Sequence, residues 1–296
     1  MKVPYFGRLL TAMVTPMNAD GSINYQAAGD LAEYLIENGS DGLVVAGSTG
    51  ESATMSDEEK IKLFETVAKR VNKRATVVAG TGSNDTRKSI ELTIEAEKTG
   101  VDGIMLVGPY YNKPTQEGYY QHFKVIAAHT KLPVIVYNVP GRTASNILPE
   151  TIKRLAETVP NIVAIKEAAG IIDQASELKK ILPENFTIYS GDDSFTLPMM
   201  SVGGHGIISV AGHVVGKQMQ QMMSYFEAGD TQNAMKAHLE LFDFFKAIFI
   251  TTNPIPIKAI TSVVSKIDCG PLRLPLTQIS DEHMKKLVDV YEKVKK

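Results

Sequence analysis

The stretch IVAIKEAAG, Ile162 to Gly170, decides the fold. Apolar residues run without a polar break into Lys166. Side chains alternate along a strand, which would place Ile162, Ala164 and Lys166 on one face and Val163 and Ile165 on the other. Both faces are apolar, so the segment reads as a strand buried on two sides, as in a parallel sheet covered by helices. Lysine is almost never fully buried without a partner or a purpose. The amine at the end of this strand therefore needs a role.

Seven other runs have the same form, each followed by turn residues: LLTAMVTP (9–16), GLVVAGSTG (42–50), ATVVAGTG (75–82), GIMLVGPYY (103–111), PVIVYNVPG (133–141), FTIYSGDD (186–193) and GHGIISVAG (204–212). Amphipathic stretches of helical period separate them. DEEKIKLFETVAKRV (57–71) opens with a capping box of Ser56 and Glu59, TRKSIELTIEAEKTG (86–100) ends at a C-cap glycine, and ETIKRLAETV (150–159) is a third. Eight strand–helix units at about thirty-residue spacing predict a (β/α)8 TIM barrel, which typically takes about 250 residues. A doubly wound sheet would have roughly five to seven strands and often a G-x-G-x-x-G turn after the first, and neither feature is present. Beyond Gly212 the pattern is helical. A helix over about 213–227 would close the barrel, giving a catalytic barrel over 1–229 and a C-terminal helical appendage over 230–296.

Composition narrows the function. The chain of 296 residues is 44% apolar and 22% charged, with 31 basic and 33 acidic residues. No basic stripe stands out, which argues against a nucleic-acid partner. A lone cysteine, Cys269, excludes an internal disulfide framework and fits a reducing compartment. The opening MKVPYFGRLLTAMVTP has too short an apolar run, broken by Pro4, Gly7 and Arg8, for a secretory signal. No run approaches the roughly 18–20 apolar residues of a membrane span. The expectation is a cytoplasmic protein with no membrane contact.

In such a barrel the chemistry sits where strands end. The residues there are Ser48, Thr49 and Glu51; Tyr110 and Tyr111; Tyr137, Asn138 and Arg142; Lys166 and Glu167; Asp192 and Asp193, all expected to point into one mouth. An amine inside a barrel loses solvation, so its pKa falls. A neutral amine can attack a carbonyl and form a Schiff base. A tyrosine hydroxyl supplies the proton transfers this needs, and Tyr137 ends the preceding strand. GSTGES (47–52) offers hydroxyls and backbone N–H groups to an anion and lacks the G-K-[ST] ending of a P-loop. Arg142 is a second anion handle. The six histidines, His122, His129, His205, His213, His238 and His283, show no metal-binding spacing, and Asp192 and Asp193 read as capping or loop-ordering carboxylates.

GSTGES, GTGSN (80–84), GPYYNKP, YNVPGRT, IKEA, SGDD, GGHGIISV and NPIPIK (253–258) together resemble the pyruvate-dependent class I aldolase family. The resemblance runs from TAMVTP to LRLPLTQI and is strongest to the branch that condenses pyruvate with L-aspartate 4-semialdehyde in lysine and diaminopimelate biosynthesis. It implies that Lys166 forms the Schiff base and that Tyr137 is the acid/base, linked through Thr49 to Tyr111 of a neighbouring subunit. Ser48 and Thr49 would hold the pyruvate carboxylate, with Gly191 and Ile208 lining the pocket, and Arg142 would hold the second substrate's carboxylate. It also implies no cofactor and no metal, and a homotetramer or dimer. Sister aldolases such as N-acetylneuraminate lyase share Lys166, Tyr137 and GSTGE, but Arg142 within YNVPGRT, together with PYYNKP, favours the semialdehyde branch. A keto-acid-binding barrel without catalysis would have lost Lys166 or Tyr137. Lysine-inhibited members use a cleft at positions matching Ser52, Ala53, Asp57, Lys60, Asn84, Lys88 and Tyr110. They carry a neutral polar group where Lys60 stands and often a carboxylate where Lys88 stands. Two cations there repel a cationic ligand, so weak inhibition by L-lysine, or none, is expected.

Overall fold

The computed structural model describes residues 5–295. Eight parallel strands follow one another round a closed barrel, and the last pairs with the first. They are β1 (Leu9–Ala12), β2 (Gly42–Val45), β3 (Thr76–Gly80), β4 (Gly103–Val107), β5 (Val134–Asn138), β6 (Ile162–Glu167), β7 (Thr187–Ser190) and β8 (Gly206–Ser209). Helices α1 (Tyr25–Glu37), α2 (Asp57–Val71), α3 (Thr86–Glu97) and α4 (Gln116–Ala127) follow the first four strands in turn. A short α5 (Pro140–Thr143) and α6 (Pro149–Thr158) follow β5; α7 (Ile172–Ile181), α8 (Thr196–Ser201) and α9 (Gly212–Glu227) complete the ring. The expected (β/α)8 barrel is the observed one.

Local chemistry fixes the helix starts. Ser56 accepts from the Glu59 amide at 3.2 Å while the Glu59 carboxylate accepts from the Ser56 amide at 2.9 Å, a complete capping box. Asp85 accepts from the Arg87 and Lys88 amides at the head of α3. That helix stops at Glu97, earlier than its glycine signal; the Thr99 amide turns back to Ala96, and only then does Gly100 take φ +87°.

Alternation along the strands makes two apolar layers. Leu10, Val44, Val78, Met105, Ile135 and Ile208 fill the barrel. Their neighbours Leu9, Leu43, Val77, Ile104, Val134 and Ile207 pack under the helices. Each such side chain contributes roughly 1.5–3 kcal/mol by leaving water. β6 departs from strict alternation. Val134 pairs with Ile162, but the next residue, Ile135, pairs with Ala164, so Val163 is an extra residue. This bulge puts Ile162 on the helix side, not on the face of Ala164 and Lys166 that plain alternation predicts. Val163 and Ala164 both turn towards the barrel interior.

No strand follows β8 among the described residues. Asp230 caps α10 (Thr231–Ala247), which packs on α9; α11 (Ile255–Ser265) and α12 (Asp281–Val294) follow. These helices do not stand apart from the barrel. Arg273, beyond α11, donates to Gly21 O, Thr54 O and the Glu59 carboxylate, gripping the loops after β1 and β2.

Candidate active site

Strand register brings the two central residues together. Tyr137 on β5 pairs with Lys166 on β6, and the lysine Nζ lies 4.3 Å from the centre of the tyrosine ring. Lys166 is 5% exposed and Tyr137 6%. Burial brings the Lys166 pKa down to about 8; the Asp193 carboxylate opposes this and the Arg142 guanidinium adds to it. Burial also pushes the Tyr137 hydroxyl up to about 12, with Arg142 pulling it down and Glu167 pushing it up. The pair therefore presents an amine that is partly neutral near physiological pH beside a phenol that keeps its proton.

Both line a cavity of about 150 Å³ with Ser48, Thr49, Arg142 and Gly191. Gly191 is dictated by space, because a Cβ there would fall 2.5 Å from the Ala168 Cβ. Arg142 is exposed and donates from Nη2 to Asn253 O at 3.1 Å. The turn 47–52 spends the amides of Gly50, Glu51 and Ser52 on its own carbonyls. Among the described residues, the Ser48 and Thr49 amides donate to no backbone carbonyl. The anion-binding capacity of this turn thus lies in those two amides and their hydroxyls.

Of the other strand-end residues, all but Asp192 are placed elsewhere. Tyr111 is 91% exposed with φ +72° and does not line this cavity. Ile208 packs inside the barrel and does not line it either. Asn138 and Glu167 follow inward-facing residues, so they face the helices, where the Glu167 carboxylate accepts from Asn138 Nδ2, Gln174 Nε2 and the Ala169 amide. Asp192 lines the cavity beside Gly191, and its carboxylate accepts from the Ser194 amide. Asp193 is fully enclosed and accepts from Ser209 Oγ and the Val210 and Ala211 amides, which ties the β7 loop to the start of α9. Burial raises its pKa to about 6, against those hydrogen bonds. The seven positions expected at the second cleft, from Ser52 to Tyr110, surround a separate hollow of about 440 Å³. There the Lys60 amine lies 3.1 Å from Asp57 Oδ1, and the Asn84 side chain donates to Tyr110 O.

Two residues of the site region carry no role in the sequence reading. Asn253, from the segment before α11, donates from Nδ2 to Thr49 Oγ1 at 3.0 Å and lines the cavity. Lys258, inside α11, lies 2.7 Å from Glu51 Oε1, both side chains being 1% exposed. The signal for Lys258 was available: a lone cation in the apolar run IPIKAI raises the same question as Lys166 in IVAIKEAAG.

Fold and cavity together define a lysine-centred (β/α)8 barrel. Residues 5–294 match the Dihydrodipicolinate synthetase family, and the chain belongs to that family. It is 57% identical over 285 residues to the 4-hydroxy-tetrahydrodipicolinate synthase of Desulforamulus reducens, covering 96% of each chain. A dihydrodipicolinate synthase structure from Bacillus anthracis superposes with a TM-score of 0.96 at 46% identity, covering 99% of this chain and 100% of that one. The Cyanidioschyzon merolae enzyme, solved with lysine bound, gives a TM-score of 0.96 at 43% identity over 98% of this chain and 99% of that one.

Proposed function

We propose that this chain is a 4-hydroxy-tetrahydrodipicolinate synthase, a lyase that joins pyruvate to L-aspartate 4-semialdehyde through a Schiff base on Lys166. The observation that carries the reading is the buried Lys166 amine, lowered to about 8 and set 4.3 Å from the Tyr137 ring in a cavity at the barrel mouth. The neutral amine attacks the keto carbon of pyruvate. Tyr137 protonates the carbinolamine oxygen, which leaves as water, and the iminium loses a methyl proton to become an enamine. The enamine carbon bonds to the aldehyde carbon, whose oxygen takes a proton. The semialdehyde's own amine then adds to the imine carbon, expels the lysine amine and closes the ring.

Ser48 and Thr49 hold the pyruvate carboxylate beside Gly191, with Ile208 packed in the barrel beyond the cavity wall. The exposed Arg142 receives the semialdehyde carboxylate in bidentate fashion. Thr49 passes protons between Tyr137 and Tyr111. The Tyr111 ring, exposed in its own chain, is supplied to a neighbouring subunit's site in a homotetramer or dimer. The enzyme needs no cofactor and works in the cytoplasm. With Lys60 and Lys88 in the second cleft, L-lysine has little or no effect on it.

A coupled assay of both substrates, run beside borohydride trapping with pyruvate alone, tests this. Wild-type protein gains the mass of reduced pyruvate at position 166 and turns over. Lys166→Ala gains none, and Arg142→Ala traps pyruvate but condenses poorly. An adduct elsewhere, or none, refutes the proposal.

A further inference from the structure

The buried ion pair of Glu51 and Lys258 takes no part in the steps above. We infer that it is a positioning device, through which helix α11 sets the turn that presents Thr49 to Tyr137. The inference rests on the reading of Lys166 as an imine-forming amine.

Glu51 sits two residues after Thr49 with φ +60°, a left-handed conformation that residues with a Cβ adopt only under constraint. Its carboxylate is held entirely from the C-terminal region. Oε1 accepts from Lys258 Nζ at 2.7 Å, and Oε2 accepts from the Arg273 amide at 3.0 Å. Lys258 Nζ also donates to Pro271 O at 2.6 Å. The same region grips the turn a second time, where Asn253 Nδ2 donates to Thr49 Oγ1. A hydroxyl that accepts from Asn253 keeps its own proton free to donate. Thr49 is thus fixed in place by Glu51 and in direction by Asn253.

Stability alone is a poor reason for such a pair. The cost of desolvating two charges offsets most of their attraction, and apolar residues of similar size often serve as well. What the pair supplies instead is one conformation of a turn that its own backbone disfavours. Neither Glu51 nor Lys258 lines the cavity, so any effect on chemistry must pass through the turn.

The double variant E51Q/K258M removes both charges and leaves no buried ion unpaired. Three readouts separate position from stability: thermal unfolding, borohydride trapping with pyruvate, and exchange of the pyruvate methyl protons in heavy water followed by proton NMR. The variant is expected to unfold cooperatively and, at saturating pyruvate, to trap it to the wild-type extent. It should exchange methyl protons at least about tenfold more slowly, since a displaced acid/base group forfeits a factor of that order or more. Adding Thr49→Val to it should slow exchange no further than Thr49→Val alone. Exchange at the wild-type rate, or fully additive losses, overturns the inference. If the double variant does not fold, Glu51→Asp, which keeps both charges and shortens the link between them, carries the same test with the same two outcomes. Wild-type protein that neither traps pyruvate nor exchanges its protons would instead overturn the reading of Lys166 itself.

Discussion

Lys166 and Tyr137 are direct partners across the β5–β6 ladder, and the amine rests 4.3 Å from the centre of the phenol ring. Backbone register alone sets this pairing. The proposed nucleophile and acid/base are therefore held by strands, and the loops around them need only recognise substrate.

In the proposed mechanism the amine reacts in its neutral form. With a pKa lowered to about 8, its neutral fraction climbs with pH and saturates above that value. The rate of imine formation with pyruvate, sampled by rapid borohydride quenching at a series of pH values, should rise through about 8 and then level off. A flat profile would contradict the assignment.

Asp193 faces this equilibrium from the neighbouring loop. Its own pKa of about 6 leaves it anionic near pH 8, where it favours protonated Lys166. Asp193→Asn removes that anion, so the amine loses its proton more readily. The rise in the imine-formation profile should move to lower pH, and a move to higher pH would contradict this role for Asp193.

Gly191 leaves no room for a side chain. Gly191→Ala should force the β7 end away from Ala168 and destabilise the fold by about 1–3 kcal/mol, as overpacking does. Urea unfolding measures the loss, and trapping of pyruvate should weaken alongside it. Unchanged stability would show that the strand end yields freely.

Lys258→Met should be much worse than E51Q/K258M. The single change strands a buried carboxylate, which costs about 3–5 kcal/mol, whereas removing both partners is close to neutral. Unfolding midpoints of the two variants decide it, and equal destabilisation would mean that the pair is not a closed unit.

Turnover should be unchanged, or nearly so, by millimolar L-lysine, because the Lys60 and Lys88 ammonium groups share the second cleft. Strong inhibition in the same assay would mean that the Asp57 carboxylate, 3.1 Å from Lys60, and the other acceptors there outweigh that repulsion.

The barrel was legible because buried parallel strands announce themselves: Leu9–Ala12 or Gly42–Val45 has no polar face to confuse the reading. Lys166 stood out for the same reason, being charged where all else is apolar. The bulge at Val163 was hidden, since alternation cannot reveal an extra residue in a strand apolar on both sides. Glu167 and Asn138 looked like mouth residues by position, yet period two turns them towards the helices beside their inward neighbours. Asn253 escaped because its partner Thr49 is 204 residues away, and no local pattern encodes so distant a contact. Its motif NPIPIK reads locally as little more than the start of a helix.

The grip of the C-terminal segment on Glu51 and Thr49 bears on how the protein comes into being. Synthesis runs from the N-terminus, and early parts of a chain fold while later ones are still being made. All eight strands leave the ribosome before Lys258 does. Until the tail docks, the turn that carries Thr49 lacks the groups that hold it, and the outer layer of the barrel lacks part of its apolar cover.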